Sequence, residues 1–344
     1  MYDLLVFIGR FQPLHAGHEE VINHARKLAK NVLVLVGSAG VARSVRNPFT
    51  YQERAAIIKK IYPDVHVDSV HDHTYNDAAW ILEVQQKVAE LVKTGARYSN
   101  ADKFQKIEKI GLIGCSKDHT SYYLKLFPDW HSEAVEFVNP LNSTDVRKLM
   151  YTEAWPQKHE IVDNVLAPSV YDWLSEHRHT PEFAARKMEY EYLIDYKKKY
   201  GEGPFLTADS LVQVGGKVLL ITRGKEYGHG LVALPGGFVN KHETFANAAI
   251  RELREETRLK VPDPVLRGSV KSSRTFDDPH RSARARLVTQ CYHINLLNDT
   301  TTPEVRGGDD ADHADWYTLE WILRNEHMFF EDHFHIIKAM LGVG

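Results

Sequence analysis

Two stretches of this chain carry side chains whose types and spacing suit phosphate chemistry. The first is G-R-F-Q-P-L-H-A-G-H at 9–18, directly after the apolar run Leu4-Leu5-Val6-Phe7-Ile8. Gly9 allows a tight turn at a strand end, and Gly17 allows backbone to come close to a ligand. His15 and His18 then fall at the start of a helical pattern, where unpaired N–H groups and the helix dipole favour anions. Arg10 adds a fixed charge beside them. Downstream, Asn142-Ser-Thr-Asp-Val-Arg147 puts Ser143, Thr144 and an arginine at another helix start, a second anion-binding cluster. The competing reading, that the two histidines merely cap a surface helix, weakens once both clusters fall in one domain. The second stretch begins at Pro235-Gly236-Gly237, continues to Glu243, and ends in R-E-L-R-E-E at 251–256. On a helix Glu252, Glu255 and Glu256 are related by three and four residues and share one face. Clustered carboxylates repel, and a hard divalent cation such as Mg²⁺, with Mn²⁺ as a substitute, reverses that cost. The competing reading is a solvated acidic face balanced by Arg251 and Arg254; the glycines and Glu243 ahead of the helix argue for the metal.

Such groups need a frame. Across the first half, strand-like segments at 4–8, 32–36, 65–70, 110–113 and 133–138 alternate with helical ones at 18–30, 53–61 and 78–93. The alternation predicts parallel βαβ units in a doubly wound, Rossmann-like α/β sheet. Ligands of such sheets bind beyond the carboxyl ends of the strands, where 9–18, 37–46 and 114–119 gather. A charged, aromatic helix at 182–200 follows, and Gly-Glu-Gly-Pro breaks it. After it, strand-like runs at 210–214, 217–222 and 287–294 surround one acidic helix, an α+β pattern. The expected division is a domain at 1–178, a linker at 179–202 and a domain at 203–344.

With 344 residues, 43% hydrophobic and 26% charged, the chain has room for two ordinary soluble domains. A net charge of −3 argues against a broad nucleic-acid-binding face. Cys115 and Cys291 form no C-x-x-C pair, so neither a zinc site nor a disulfide framework is indicated. No run approaches the roughly 20 apolar residues of a membrane span, and no basic-then-apolar leader opens the chain. The expectation is a cytoplasmic protein with no membrane or nucleic-acid partner. A homo-oligomer is compatible with the sequence, which does not define the oligomeric state.

The first half resembles the nucleotidylyltransferase superfamily, and within it the archaeal-like nicotinamide mononucleotide adenylyltransferases. The residues that carry this are H-x-G-H at 15–18, S-T-x-x-R at 143–147, the run 37–54 containing N-P-F-T at 47–50, N-D-A-A-W at 76–80 and G-C-S-K-D at 114–118. The resemblance covers about residues 1–178. It implies ATP and nicotinamide mononucleotide as substrates, giving NAD and pyrophosphate. His15, His18 and Arg147 would then hold the ATP phosphates, and Arg10 and Arg43 would act on the reacting phosphates. Trp80 would stack on nicotinamide, against the alternative of a core tryptophan on an amphipathic helix. Gly9, Phe11, Asn47, Asp72, Asn76, Lys117, Asp118, Ser143 and Thr144 complete the implied substrate site. A different acceptor, such as a pantetheine, glycerol or flavin phosphate, is disfavoured by Trp80 and by 47–50.

The second half is similar to the Nudix box, G-x5-E-x7-R-E-U-x-E-E-x-G-U, with U a bulky apolar residue. Gly237, Glu243, Arg251, Glu252, Leu253, Glu255, Glu256 and Leu259 meet it, and Arg258 stands where it has glycine. That glycine ends the helix with positive φ, so arginine there is expected either to cost about 1 kcal/mol or to let the helix run on slightly. The resemblance implies Glu252, Glu255, Glu256 and a Gly236 or Gly237 carbonyl as metal ligands, with Arg251 orienting a glutamate. Outside the box, Arg274, Arg281 and Arg286 suit phosphate and ribose. Gly307-Gly308-Asp309-Asp310 offers a general base, and these segments look like ADP-ribose pyrophosphatases. The combined expectation is a bifunctional enzyme that makes NAD and cleaves ADP-ribose to AMP and ribose 5-phosphate. The alternative is an adenylyltransferase with a non-catalytic Nudix sensor that binds ADP-ribose or NAD.

Overall fold

An unbroken apolar run suits a strand covered on both faces. β1 (Tyr2–Gly9) fits that description, with Leu4, Leu5 and Val6 wholly buried. The computed structural model describes residues 1–94, 107–115, 125–135, 142–162, 164–225, 227–296 and 301–343. They form two units: Met1–His73 with Asp77–Met188, and Thr74–Asn76 with Glu189–Gly344.

In the first unit, β1 is followed by α1 (Ala16–Leu28), β2 (Ala29–Val36), α2 (Tyr51–Ile61), β3 (His66–Ser69), α3 (Asp77–Thr94), β4 (Ile110–Cys115) and β5 (His131–Val135). α4 (Ser143–Tyr151), α5 (Lys158–Ile161), α6 (Pro168–His177) and the start of α7 (Pro181–Tyr200) complete it. The five strands are parallel in the order β3-β2-β1-β4-β5. The order reverses beside β1, so the crevice outside its carboxyl end is where such a sheet binds ligands. The sequence predicts a helix to 30, yet α1 ends at Leu28, because β2 pairs with β1 from Ala29 opposite Tyr2. The strand expected at 133–138 is β5, and its last three positions lie outside the described residues.

In the second unit come β6 (Phe205–Val214), β7 (Lys217–Arg223), β8 (Val232–Ala233), β9 (Gly236–Phe238), α8 (Phe245–Thr257), α9 (Asp263–Gly268), β10 (Val270–Phe276), β11 (Leu287–Asn295), β12 (Ala311–Thr318), α10 (Leu319–Arg324) and α11 (His333–Leu341). They build a seven-stranded mixed sheet, β10-β11-β6-β7-β12, with β8 on β7 and β9 on β6. β6 and β11 run parallel and the other pairs antiparallel. Four of these strands escape the sequence pattern for clear reasons. β8 and β9 are too short to show a period, β12 is mostly polar, and β10 is exposed except at Phe276. Cys115 closes β4 at intermediate exposure, and Cys291 is buried on β11. No described helix is long and apolar enough to cross a membrane.

Candidate active sites

The first site grows from the end of β1. His15 is the N-cap of α1, its Nδ1 accepting from the Gly17 N–H at 3.1 Å. Capping therefore fixes the ring at the helix start instead of competing with a role there. The His15 and His18 rings lie 3.9 Å apart, and Phe11 backs His18 at 4.7 Å. Phe11 itself is buried against Phe7, so its ring supports the histidine and is not presented to a ligand, contrary to expectation.

α4 supplies the other cluster. A capping box of Asn142 and Asp145 sets its start. The Arg147 guanidinium donates to the Gln12 carbonyl at 2.5 Å and to the Thr144 hydroxyl at 3.0 Å. The Ser143 hydroxyl donates to the Pro13 carbonyl at 3.1 Å. The two clusters predicted from distant sequence are thus tied together through the 12–13 backbone. Burial, and then the charges of Arg10 and Arg46, push the Arg147 guanidinium down to about 10. Guanidiniums that disfavour one another's charge are stabilised by an anion placed among them.

Around this cluster the loops are braced. Gln12 donates to the Phe49 carbonyl at 2.9 Å and accepts from the Phe49 N–H at 3.1 Å. Arg43 donates to the Pro48 carbonyl at 2.6 Å and to Glu53 at 2.9 Å. Its guanidinium therefore closes the 43–50 loop, a use that the phosphate role assigned to it does not include. The Asn47 Oδ1 is buried without a hydrogen-bond partner among the described residues, a polar atom suited to a ligand donor. Asp72 accepts from the Ser38 hydroxyl at 3.1 Å. Trp80 is partly buried on the Val84–Val88 core and lies 6.0 Å from Phe127, so part of its surface is core packing. Asn76 is exposed and groups with the second unit. Lys117 and Asp118 lie outside the described residues.

The second site is built on α8. Thr244 caps it by accepting from the Asn247 N–H at 3.3 Å, and Ala248, Ala249, Ile250 and Leu253 bury its inner face. Arg251 is a hub on the other side. It donates twice to Glu243 at 2.9 Å, to Glu252 at 2.8 Å, to Glu255 at 3.0 Å and to the Phe238 carbonyl at 3.0 Å. Glu256 is buried and accepts from the Gly236 N–H at 2.9 Å. A Cβ on Gly237 would stand 2.4 Å from the Glu252 carboxylate, and one on Gly236 would stand 2.1 Å from Asp209. Backbone at Ala208, 2.6 Å away, also closes on Gly236, so only glycine fits there, whereas a Cβ on Gly237 would displace the flexible Glu252 side chain. Arg258 ends α8 at φ 53° and ψ 24°, the left-handed geometry in which the box has glycine.

Several of the sequence-assigned residues hold partners of their own. Among the described residues no three His, Cys, Asp or Glu side chains converge as a ready ligand set. Glu252, Glu255 and Glu256 share a face, but Arg251 draws Glu255 and the Gly236 N–H holds Glu256, since like charges separate toward other donors. Arg281 is not a substrate arm: it is buried, and Asp332 takes its guanidinium through two bonds of 2.9 Å. Arg286 bonds the Asp277 backbone, while Arg274, exposed on β10, lies over the Tyr75 and Phe276 rings.

The chain matches the cytidylyltransferase-like family over residues 6–149 and the NUDIX domain family over 206–340. It is 34% identical over 156 residues to a nicotinamide/nicotinic acid mononucleotide adenylyltransferase of Acinetobacter baylyi, covering 44% of this chain and 76% of the relative. It is 31% identical over 135 residues to an ADP-ribose pyrophosphatase of Methanocaldococcus jannaschii, covering 39% of this chain and 72% of that protein. The chain belongs to both families. One solved structure is similar along the full length: a bifunctional NMN adenylyltransferase/ADP ribose pyrophosphatase of Francisella tularensis, complexed with AMP and manganese. Its TM-score is 0.88 at 29% identity, with 99% of each chain covered.

Nudix hydrolases depend on a divalent metal, and Glu252, Glu255 and Glu256 on α8 are the carboxylates that would meet one. Burial, and then Glu252, push the Glu256 carboxyl up to about 8. Glu252 is likewise raised, by burial first and also by Glu255 and Asp309. Carboxylates that hold each other's charge in check, beside a glycine backbone packed on one of them, suit a hard cation.

In the adenylyltransferase unit the least legible residue is Arg54. It is wholly buried and donates to four carbonyls, those of Thr50, Arg10, Gly37 and Ser38. Its signal was its place with Ile57 and Ile58 on the buried face of α2, where a charge needs partners. Glu83 was missed as well. From α3 it binds both His71 and His73 at 2.8 Å, bracketing Asp72. In the Nudix unit, Asp209 and Asp332 had no motif to reveal them.

Proposed function

We propose that this chain transfers the adenylyl group of ATP to nicotinamide mononucleotide, giving NAD and pyrophosphate, and hydrolyses ADP-ribose to AMP and ribose 5-phosphate with Mg²⁺. The observation that carries the reading is the full-length likeness to the Francisella bifunctional enzyme in a chain that keeps both motif sets.

In the first reaction the mononucleotide phosphate attacks the α-phosphorus of ATP, and pyrophosphate leaves on the opposite side. The protein's task is positioning and charge neutralisation. His15 and His18, fixed at the α1 start, donate to the triphosphate, and Arg147, anchored to Gln12 and Thr144, adds a fixed charge. Arg10 stands at the strand end, where charge develops. Asn47, Asp72 and Trp80 are the acceptor's contacts in this reading.

In the second reaction Glu252, Glu255 and Glu256, with a glycine carbonyl, would hold the cation, which would supply Lewis-acid polarisation of the diphosphate and make the attacking water more acidic. Arg251 keeps Glu252 and Glu255 in place, and the water's proton passes to a carboxylate such as Asp309. The result is one P–O bond broken, one formed, and AMP released. A purely sensory Nudix unit has no structural support here, because Glu252, Glu255, Glu256 and Arg251 are all retained.

Paired assays test the reading. His18→Ala is expected to abolish NAD formation and spare ADP-ribose hydrolysis; Glu256→Ala should do the reverse. Unchanged adenylyl transfer in His18→Ala would remove the first assignment, and Mg²⁺-independent or absent AMP release by wild type would remove the second.

A further inference from the structure

The Nudix box has glycine where this chain has Arg258, and the structure gives that departure a use. Arg258 is exposed, so no core contact calls for it. Its backbone takes the left-handed turn that glycine would take more easily. Opposite it runs the 306–310 loop, joined to the end of α8 by the Arg306 N–H to the Thr257 carbonyl at 2.8 Å and by the Gly308 N–H to the Glu256 carbonyl at 3.1 Å. Gly308 lies against the arginine side chain itself. A Cβ there would stand 2.5 Å from the Arg258 Nε, 3.0 Å from its Cζ and 2.7 Å from the Glu255 carbonyl. The glycine expected on the helix thus has a counterpart across from it, on the loop, with a guanidinium filling the space. The next residue, Asp309, also has positive φ, and the bond from the Gly308 N–H to the Glu256 carbonyl keeps it at the glutamate end of α8.

We propose that Arg258 is a positioning residue for ADP-ribose hydrolysis: from the left-handed end of α8 its guanidinium pins the 306–310 loop and so holds Asp309 at the glutamate end of that helix. The role rests on the hydrolase reading above. It acts through the loop and requires no contact with substrate.

The test uses the full-length protein with Arg258→Gly, which restores the box residue and relaxes the backbone, and Arg258→Lys, which keeps a long cation. Amide hydrogen exchange at Arg306 and Gly308 is followed in metal-free protein, alongside steady-state hydrolysis with Mg²⁺. Arg258→Gly is expected to speed exchange at both amides at least tenfold. It should also lower kcat by about tenfold to a hundredfold with little change in KM, the size expected when a reacting group is misplaced by about 1 Å. Arg258→Lys should recover most of both. Adenylyl transfer at the wild-type rate in both variants shows that the chain is folded. Unchanged exchange, or a kcat within twofold of wild type, overturns the proposal. Failure of wild type itself to hydrolyse ADP-ribose would instead sink the hydrolase reading, and the exchange measurement would still judge the pinning.

Discussion

Replacing Arg54 with lysine keeps a positive charge in the adenylyltransferase unit and removes its geometry. The arginine Nη1 donates to the Arg10 and Gly37 carbonyls at 2.6 Å, Nη2 to Ser38 at 3.0 Å, and Nε to Thr50 at 3.1 Å. Those carbonyls belong to the ends of β1 and β2 and to the cap of α2, so one side chain fixes three loops around the nucleotide cluster. A compact ammonium can reach the close pair at Arg10 and Gly37 but cannot also span Thr50 and Ser38. The Thr50 carbonyl keeps its bond from the residue-54 backbone N–H at 3.2 Å, so one buried carbonyl, that of Ser38, is left unsatisfied, at a cost of about 1–3 kcal/mol. In a unit of this size each kcal/mol moves Tm by about 2–4 °C, so a loss of about 2 kcal/mol gives a fall of about 4–8 °C. Thermal inactivation of adenylyl transfer reads this directly, with ADP-ribose hydrolysis in the same sample as the internal control. A fall below about 2 °C would refute the accounting, because it would mean that the four bonds contribute nothing the lysine lacks.

Gly237→Ala should push the Glu252 carboxylate away, since the new methyl would stand 2.4 Å from its Oε1. Manganese titration of the purified protein should then show an affinity about tenfold to a hundredfold weaker, and an unchanged Kd would contradict the geometry. Glu83→Gln should expose a pH-dependent contribution. Despite partial burial, which acts the other way, hydrogen bonds from His71 and His73 hold the Glu83 carboxyl well below the ordinary 4.5. A depressed carboxyl stabilises the fold above its unfolded pKa and loses that contribution as pH falls through its folded one. The stability gap between wild type and Glu83→Gln should therefore be full above about pH 4.5, roughly 1 kcal/mol once screening is allowed for, and close on acidification. Urea unfolding at a series of pH values checks this; a gap that widens in acid would reverse the sign and the argument.

Much of this architecture is legible in the chain because both candidate sites sit where local rules act. His15, Gly17 and His18 mark a helix start after a buried run, and Glu252, Glu255 and Glu256 mark a helix face, so spacing assigns them to their elements. The turn at 258 is legible only in part: spacing marks a helix end there, while arginine leaves open a helix that runs on, and the structure shows the left-handed end. What spacing cannot show is which polar group meets which across long sequence separations. Arg281 reads as a phosphate arm until Asp332, far along the chain, proves to hold it. Arg43 reads the same way until Glu53 and the Pro48 carbonyl take it. Phe11 illustrates a third limit: a residue inside a binding motif serves that motif from behind, by packing against His18.

The cysteines have a practical consequence. Cys291 is wholly buried, and burial holds its thiol far above the ordinary range, so a maleimide dye has little thiolate to attack there. Cys115 is more accessible and closes β4, next to β1, whose end leads into the loop before the histidine pair. Unmodified protein thus carries a single practical attachment point for a fluorophore, at the strand ends where nucleotide is expected, and ligand arrival can be followed optically without engineering a label site.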